Sequence, residues 1–517
     1  MEGVLDMLDR FARQRGLVDQ DVVRDIRIAT DSLSKPLNEA LVTIAEQLGI
    51  GEFPCSIDEA EYIIHTSGVP VRESKSTIPI SYGGDGVFLD GRVTEEVIHP
   101  IYEPAVATIA ACLSLNEVLR RAGAFLPVEI PKVSVSVNVR VDESSMLGPL
   151  KDINMSLEGH PVSTNIRPIK DGTGHRRVML RLNDDDPLTL ELHERLKISG
   201  GRDGTEPRHP VIEFNLEPPS KIPEGHVTLV GAGGLGTWVL KTMVAGLSGV
   251  EAGPLSILVF DGDMEVESHN LNRQVIFTED DIGKSKVDAA SDWIQKNLPD
   301  AEIKIAYELA NSHLEEIQLA NRVDDDSGTS FDELGGMDVE VPASSIIDDD
   351  EVRSLLKQTN VILGCLDAMR PRTLADLAAA RMDQPYINAG VQGLEAEYRE
   401  FQDSSLVSIY GPKTATDITI NSCQEDGDVP VASIVLTNAL VASFQAIAAL
   451  QRLCGSSFAS VASVSWRLRL NEILCIPSKG EVARKQYVAG LESALWPRSS
   501  MDDDSNPAPP QSPEVEG

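Results

Sequence analysis

A glycine-rich segment and an aspartate beyond it could together bind a nucleotide. Between a short apolar run and a helical stretch lie Gly231, Gly233, Gly234 and Gly236. At such a junction the backbone N–H groups and the helix N-terminus can meet phosphate, and glycines let the backbone approach closely. Asp261 ends the next apolar run, where a carboxylate can bond a ribose hydroxyl. The pattern is equally typical of nicotinamide or flavin enzymes, so by itself it predicts only a nucleotide.

Two cations and an amide follow the ribose-binding position: Asn270, Arg273 and Lys286. A dinucleotide needs no such group, whereas attack at the α-phosphorus of a triphosphate requires positive charge near the transferring group and the departing pyrophosphate. Asp367 follows the apolar run 361–366, and a carboxylate at a strand end could hold Mg²⁺. Singly, the two cations could form surface ion pairs and Asp367 could cap a helix. In this order the set predicts ATP binding and adenylation of a carboxylate.

This ordered set closely resembles the ATP-binding signature of ubiquitin-activating enzymes and of the ThiF- and MoeB-type enzymes that adenylate sulfur-carrier proteins. It spans residues 220–455 and consists of Gly231–Gly236, Asp261, Asn270, Arg273, Gln274, Lys286, and Cys365 with Asp367, followed by Arg370. The resemblance implies that Asp261 binds the ribose and that Asp367 acts on Mg²⁺. It also implies that the phosphates are engaged by Asn270, Arg273 and Lys286. The family product is an acyl-adenylate on the C-terminal glycine of a ubiquitin-like protein.

A second chemical step depends on Cys423, which lies in a polar stretch just before the long apolar run 431–453. A loop thiol near the adenylate could attack its carbonyl carbon and form a thioester. The arrangement resembles autophagy-type activating enzymes, whose nucleophile precedes such a helix. However, Glu425, Asp426 and Asp428 should raise the thiol pKa above about 8.5, and no basic residue lies nearby in sequence. An incidental loop cysteine is therefore the alternative.

The six cysteines are far apart, and no two are spaced C-x-x-C, so we predict no structural zinc. The sulfur-carrier branch typically carries two such zinc-binding pairs. Their absence from this sequence favours a thioester-forming enzyme. Cys112, Cys365 and Cys454 lie in apolar contexts and are predicted core residues. Two alternatives stay open: a sulfur-carrier or RNA-modification adenylyltransferase without a protein thioester, and an inactive scaffold that presents a ubiquitin-like protein. The intact Arg273, Lys286 and Asp367 argue against a scaffold.

The elements that must position these residues predict an α/β fold. A strand at 226–230, a helix at 237–248 and a strand at 255–260 alternate as in a mostly parallel, doubly wound, Rossmann-like sheet. The N-terminal region is predicted to be α+β, with helical periodicity in 1–50 and an apolar helix at 105–122. A strand, a glycine patch and an Ala-rich helix at 78–122 recur near 387–453. This echo favours a degenerate adenylation half, and an unrelated recruiting domain is the alternative.

Four regions follow from these patterns. Residues 1–127 form the N-terminal α/β region, and 128–219 a β-rich insertion or recruiting region, because 133–141 alternate strictly between valine and polar residues. Residues 220–480 form the active adenylation domain. The segment 481–517 ends in an Asp-, Ser- and Pro-rich tail that we expect to be disordered.

The charge balance limits the partners. With 81 acidic and 45 basic residues the net charge is −36, which disfavours nucleic acid and anionic membranes. No run is long enough to span a bilayer, and the start lacks a signal or transit pattern, so the expected compartment is the cytoplasm. Expected partners are a ubiquitin-like protein, a conjugating enzyme and a second copy in a homodimer. The family uses an arginine finger near the chain start, often across a dimer, for which Arg10, Arg13 and Arg15 are candidates. By analogy alone, a bacterial source would suggest an antiviral-type ubiquitin-like conjugation operon.

Overall fold

The structure, a computed structural model, describes part of the chain. The described residues are 11, 14, 16–68, 76–94, 96–126, 135–140, 152–157, 160–162, 164–170, 176–182, 210–263, 265–306, 358–366, 372–373, 375–376, 379, 384–400, 406, 433–469 and 471–477. Several predicted site residues lie outside them: Asp367, Arg370, Cys423 and the finger candidates Arg10, Arg13 and Arg15. The chain forms two compact units, of which the smaller comprises Pro127–Arg208.

The N-terminal part of the larger unit alternates helices and strands. Its elements are α1 (Gln20–Asp25), β1 (Ile28–Asp31), α2 (Lys35–Leu48), β2 (Tyr62–Thr66), β3 (Ser76–Gly83), β4 (Gly86–Phe88) and α3 (Glu103–Arg121). Asp19 caps α1, and Ile26 ends it in an extended conformation. Ile28 therefore starts a strand, whereas its spacing had suggested the helical face. The predicted helix at 105–122 is confirmed as α3.

The smaller unit consists of antiparallel strands. One sheet contains β5 (Val135–Arg140), β6 (Asp152–Leu157) and β7 (His160–Val162), and a hairpin contains β8 (Thr164–Lys170) and β9 (Arg176–Leu182). The strand predicted from alternation at 133–141 is confirmed over its described residues as β5. The chain then returns to the larger unit as β10 (Val211–Glu213), which pairs antiparallel with β4. The N-terminal sheet thus has the order β1-β2-β3-β4-β10, with its first three strands parallel.

An eight-stranded sheet dominates the rest of the larger unit. Its strands are β11 (Gly225–Val230), β12 (Leu255–Phe260), β13 (Glu302–Ala306), β14 (Val361–Gly364), β15 (Tyr386–Gln392), β16 (Glu395–Glu400), β17 (Val461–Arg467) and β18 (Glu472–Pro477). The order is β13-β12-β11-β14-β15-β16-β17-β18; the first five are parallel and the last three antiparallel. The predicted Rossmann-like fold is confirmed. Because β11 lies between β12 and β14, the chain reverses its winding there, and ligands bind at the carboxyl ends of such strands.

Among the described residues, the helices that cover this sheet include α4 (Gly234–Ser248), α5 (Lys286–Asn297) and α6 (Val435–Leu453). Helix α4 begins inside the glycine segment, three residues before the apolar pattern predicted it. Helix α6 is buried along nearly its whole length because it packs against the sheet, α4 and the N-terminal helix α3. Its first helical residue is Val435, later than the start of the apolar run at 431.

The N-terminal elements and the large sheet share one hydrophobic core. Gly246 of α4 lies against the backbone of Ile101, whose carbonyl oxygen would be 2.2 Å from a Cβ atom on Gly246. Polar bonds join the same two parts: Asn116 of α3 donates to the carbonyl of Leu468 at 3.2 Å. The elements of residues 16–126 are therefore packed directly on the large sheet. Within the described part of the chain, no helix is long and apolar enough to cross a membrane.

Candidate functional site

The glycine segment connects β11 to α4, and three of its four glycines are required by packing. Gly231 has a left-handed φ of 101°, and a Cβ atom there would lie 2.5 Å from the carbonyl oxygen of Cys365. A Cβ atom on Gly236 would lie 1.9 Å from the Gly231 carbonyl oxygen, and one on Gly234 would lie 2.7 Å from Asn438 Oδ1. These positions close the turn and bring β14 and α6 against it.

Gly233 differs from its neighbours because a Cβ atom there would meet nothing within 4 Å. This residue is the N-cap of the 15-residue helix α4 and offers no side chain to cap it. The N–H groups of the first helical turn have no intrahelical acceptor and carry the positive end of the helix dipole. Open space at this point suits an anion such as a phosphate.

Asp261 connects the exit of β12 to the glycine segment. Its carboxylate accepts hydrogen bonds from the N–H of Ala232 at 2.5 Å and the N–H of Asp263 at 2.9 Å. Burial raises the pKa of the Asp261 carboxyl above its usual value, although the Lys286 cation and the two N–H donors act in the opposite direction. The carboxylate thus lies where the sequence predicted a ribose-binding group, on a half-buried backbone junction.

Lys286 is the first residue of α5 and is only 6% exposed. Its Nζ forms an ion pair with Asp263. The helix start is fixed by Ser285, whose side chain accepts the N–H of Asp288 at 3.1 Å. A buried ammonium group is therefore held beside the β12 exit, within the electrostatic reach of Asp261.

The segment between β12 and α5 carries Asn270 and Arg273, two of the residues predicted to bind the phosphates. Arg273 donates to the carbonyl of His269 at 3.1 Å and to Asn270 Oδ1 at 3.4 Å. Its Cδ lies 3.4 Å from the position of a Cβ atom on Gly234, so the side chain borders the start of α4. Asn270 Nδ2 and Gln274 Oε1 are buried and have no hydrogen-bond partner within the described parts of the chain. Such orphaned polar atoms are costly unless a ligand or water completes them.

The exit of β14 is held by three different elements. The N–H of Cys365 donates to the carbonyl of Val230 at 2.8 Å. Gln445 of α6 donates to the carbonyl of Gly364 at 2.9 Å, and Arg372 Nε donates to the carbonyl of Leu366 at 2.6 Å. Asp367 is the next residue along the chain and lies outside the described residues.

The structure thus brings together the glycine segment and four predicted side chains: Asp261, Asn270, Arg273 and Lys286. The roles assigned to these four side chains stay predictions, as do those of Asp367 and Cys423. Around them, no three His, Cys, Asp or Glu side chains of the described residues form a group that could hold a metal ion. Sequence reasoning missed Gln445, Arg372 and Asn438. The available signal was the presence of amides, Asn438 and Gln445, within the largely apolar run 431–453, because a buried amide needs partners.

The cysteines predicted to lie in the core are buried: Cys112, Cys365 and Cys454. Burial raises the pKa of the Cys112 thiol well above its usual value and that of Cys454 to about 11. Burial likewise raises the pKa of Cys475 to about 12 and that of the half-buried Cys55. None of these four thiols is activated by its surroundings, since a reactive cysteine has a lowered pKa.

The profile of the ThiF family matches residues 210–473, which is more than half of the chain and includes every site element described above. The chain belongs to the ThiF family. Among curated relatives of this ThiF-family chain, the ubiquitin-activating enzyme E1 1 of Candida albicans is 28% identical over 173 residues. That alignment covers 34% of this chain and 14% of the relative.

Two further relatives show the breadth of the family. The adenylyltransferase and sulfurtransferase MOCS3 of Culex quinquefasciatus is 24% identical over 217 residues, covering 42% of this chain and 40% of the relative. The SAMP-activating enzyme E1 of Haloferax volcanii is 29% identical over 126 residues, or 24% of this chain and 44% of the relative. This chain spans less than half the length of each of these three proteins.

Comparison with solved structures matches part of this chain to MccB of E. coli. The crystal structure of MccB with ATP is 18% identical in sequence and gives a TM-score of 0.34. The alignment covers 51% of this chain and 66% of MccB. This similarity is too low to inform the chemistry of the site.

Proposed function

We propose that this chain is an activating enzyme for a ubiquitin-like protein. It uses ATP to adenylate the C-terminal carboxylate of that protein and then takes the acyl group onto Cys423. The observation that carries the proposal is the group of Lys286, Arg273 and Asn270 beside open space at Gly233, where Asn270 Nδ2 has no hydrogen-bond partner among the described residues. In a ThiF-family sheet this group lies at the switch point where ligands bind.

The residues present fit ATP. The open backbone at Gly233 and the start of α4 suit the phosphates, and Asn270 Nδ2 is a buried donor that a phosphate oxygen would satisfy. Lys286 and Arg273 bring two positive charges to the same end of the sheet. Two backbone N–H groups orient the Asp261 carboxylate, and its remaining lone pairs can still accept hydrogen bonds from the ribose hydroxyls.

The chemistry assigned to this site has two steps. In the first, a carboxylate oxygen of the substrate bonds to the α-phosphorus of ATP while the bond to pyrophosphate breaks. Lys286 and Arg273 neutralise charge on the reacting phosphates, and a magnesium ion held by Asp367 would supply further positive charge. In the second, the Cys423 sulfur bonds to the acyl carbon, AMP leaves, and the thiol proton passes to solvent.

The relatives support the first step more broadly than the second. One is an E1 and another a SAMP-activating E1, but MOCS3 combines an adenylyltransferase with a sulfurtransferase. The names of all three relatives therefore support adenylation. Thioester formation on Cys423 and transfer to a conjugating enzyme are supported by the two E1 relatives alone.

The N-terminal part of the larger unit supports a degenerate adenylation half. The strands β1, β2, β3, β4 and β10 repeat the pairing directions of β11, β14, β15, β16 and β17. Each hairpin is followed by a 19-residue buried helix, α3 in one case and α6 in the other. Because α3 already packs on α4 and α6, a second copy in a homodimer would use another surface.

The position equivalent to the glycine segment is bridged by side chains in this N-terminal sheet. Between β1 and α2 stands Ser34, whose hydroxyl bonds the Tyr82 hydroxyl at 2.5 Å. Tyr82 also bonds Glu103 at 3.4 Å, and burial raises its pKa to about 12. No glycine opens the turn there. We therefore expect one nucleotide per chain, which calorimetric titration with a non-hydrolysable ATP analogue measures directly.

A non-reducing gel and ATP–pyrophosphate exchange together test the function. The protein is incubated with ATP, Mg²⁺ and each of a panel of ubiquitin-like proteins ending in glycine, beside forms that lack that glycine. We expect exchange and a DTT-sensitive adduct only with the intact C-terminus. Cys423→Ala should lose the adduct and keep exchange, whereas the matched thiol variant Cys55→Ala should keep both.

The other outcomes separate the alternatives. Exchange without any adduct would support an adenylyltransferase that forms no protein thioester. Absence of nucleotide binding and of both activities would support an inactive scaffold.

A further inference from the structure

We propose that Gln445 is a positioning residue that holds the exit of β14 against the glycine segment and thereby sets the affinity for ATP. The inference rests on the proposed function, since it names a residue behind the same nucleotide site. Gln445 is fully buried within α6, where the residues one helical turn away, Val441, Ala442, Ala448 and Ala449, are aliphatic or small. Burying an amide in such a helix is unfavourable unless its polar atoms find partners.

The Gln445 amide bonds with all of its polar atoms. Its Nε2 donates to the carbonyl of Gly364 at 2.9 Å and to that of Ile387 at 3.1 Å. Its Oε1 accepts from the thiol of Cys365 at 3.3 Å. One side chain thus links α6 to β14 and β15 at the carboxyl end of the sheet.

These bonds lie directly behind the glycine segment. The carbonyl of Cys365 abuts the backbone of Gly231, and the N–H of Cys365 bonds the last residue of β11, Val230. A shift of Gly364 or Cys365 would therefore move Gly231 and change the turn that leads to α4. The same shift would move Leu366, the residue before Asp367. Small displacements of supporting groups commonly weaken a site by one to two orders of magnitude.

The same helix provides a matched control in Gln451. Its side chain is also buried, at 3% exposure, and its amide bonds both the hydroxyl and the N–H of Ser460. Ser460 precedes β17, so these bonds stabilise α6 without touching β14 or the glycine segment. Loss of either amide removes buried hydrogen bonds, but only Gln445 contacts the β14 exit.

The test compares Gln445→Met with Gln451→Met, since methionine keeps the length of the side chain and lacks the N–H donors. Melting temperature is measured without nucleotide, and the dissociation constant for a non-hydrolysable ATP analogue is measured by calorimetry. We expect comparable losses of melting temperature in both variants. Only Gln445→Met should raise the dissociation constant of the analogue, by about tenfold or more. It should also raise the KM for ATP in the exchange assay more than it lowers kcat.

A second variant keeps the proposal testable if methionine disrupts folding. Gln445→Glu has the same shape, and its carboxylate can still accept from Cys365 but opposes the two carbonyl oxygens. Gln445→Glu should weaken the binding of the ATP analogue at least as much as Gln445→Met does. Wild-type affinity in a folded Gln445 variant, or equal weakening in the Gln451 control, would overturn the positioning role. If the wild-type protein itself binds no ATP analogue, the proposed function fails instead.

Discussion

The carbonyl oxygen of Cys365 lies 2.5 Å from the point that a Cβ atom on Gly231 would occupy. These residues leave two neighbouring parallel strands, β14 and β11, and are far apart in sequence. Their contact means that the shape of the glycine segment depends on the backbone of β14 as well as on its own residues. Gly231 is thus required by packing, whereas the open position for a ligand is Gly233.

Two alanine substitutions should separate packing from binding. Gly231→Ala places a Cβ atom against a fixed carbonyl at a left-handed φ, so we expect a loss of about 1–3 kcal/mol in the free energy of unfolding. Gly233→Ala meets no atom within 4 Å and should unfold as the wild type does. It should nevertheless weaken the binding of an ATP analogue, because the methyl group enters the space assigned to phosphate. Denaturant unfolding and calorimetry measure the two effects; equal destabilisation would contradict the assignment.

Lys286 and Lys284 offer a comparison of a buried with an exposed cation. Lys286→Ala removes the buried ammonium group beside Asp263, and we expect ATP–pyrophosphate exchange to fall about 100-fold or more. Lys284→Ala removes only a surface ion pair with Asp281 and should leave the exchange rate within about twofold. Similar rates in the two variants would show that Lys286 does not act on the phosphates.

The raised pKa of Asp261 predicts a pH dependence specific to the ribose. Only the ionised carboxylate accepts freely from ribose hydroxyls, so the preference for ATP over 2′,3′-dideoxy-ATP should fall as acidification protonates it. Because burial raises this pKa, the fall should occur at a higher pH than the value of about 3.9 for an ordinary aspartate. Taking the ratio of the two affinities cancels titration of the phosphates. In Asp261→Ala the ratio should be small and independent of pH; a pH-dependent ratio there would assign the effect elsewhere.

The contact between the N-terminal elements and the large sheet depends on a buried carboxylate. Glu117 of α3 accepts from Arg120 at 2.8 Å, from Arg121 at 2.7 Å and from Asn471 at 3.1 Å. Glu117→Ala would leave the buried Asn471 amide N–H unsatisfied, whereas Arg121 keeps Ser76 and Thr77 as acceptors, so we expect a loss of about 1–3 kcal/mol in the free energy of unfolding. The exposed pair of Lys35 and Glu39 is the control: Glu39→Ala should cost about 0.3–0.5 kcal/mol. Equal midpoints of urea unfolding would rule out this role of Glu117.

The elements that sequence reasoning predicted best were those with uninterrupted patterns. Strands β11, β12 and β14 and helices α3 and α6 all carry long apolar runs, so burial and secondary structure agree locally. The turn from Ile26 to Ile28 was assigned wrongly, because a single extended residue ended the helix within a pattern that still suited one. Local patterns do not record which strand a residue will face.

The residues of the site likewise divide into those that the sequence predicted and those that only the structure revealed. The order of Gly231, Asp261, Arg273 and Lys286 along the chain predicts a nucleotide site. Gly231 and Asp261 follow strands and Lys286 starts a helix, whereas Arg273 lies in the segment between β12 and α5. No spacing rule connects Gln445 or Arg372 to that site. Their partners are the backbone carbonyls of Gly364 and Leu366 at the exit of β14, which become neighbours only when the sheet forms.

The sequence alone thus determined the α/β class, the family resemblance and the identity of the charged residues, since these depend on local periodicity and on the order of motifs. Only the tertiary structure decided which glycine is open, which carboxylate is paired with Lys286, and that the N-terminal helix α3 packs on α4 and α6. These features depend on contacts between segments distant in the chain. Such contacts are set by how whole strands and helices exclude water together, and no short stretch of sequence encodes them.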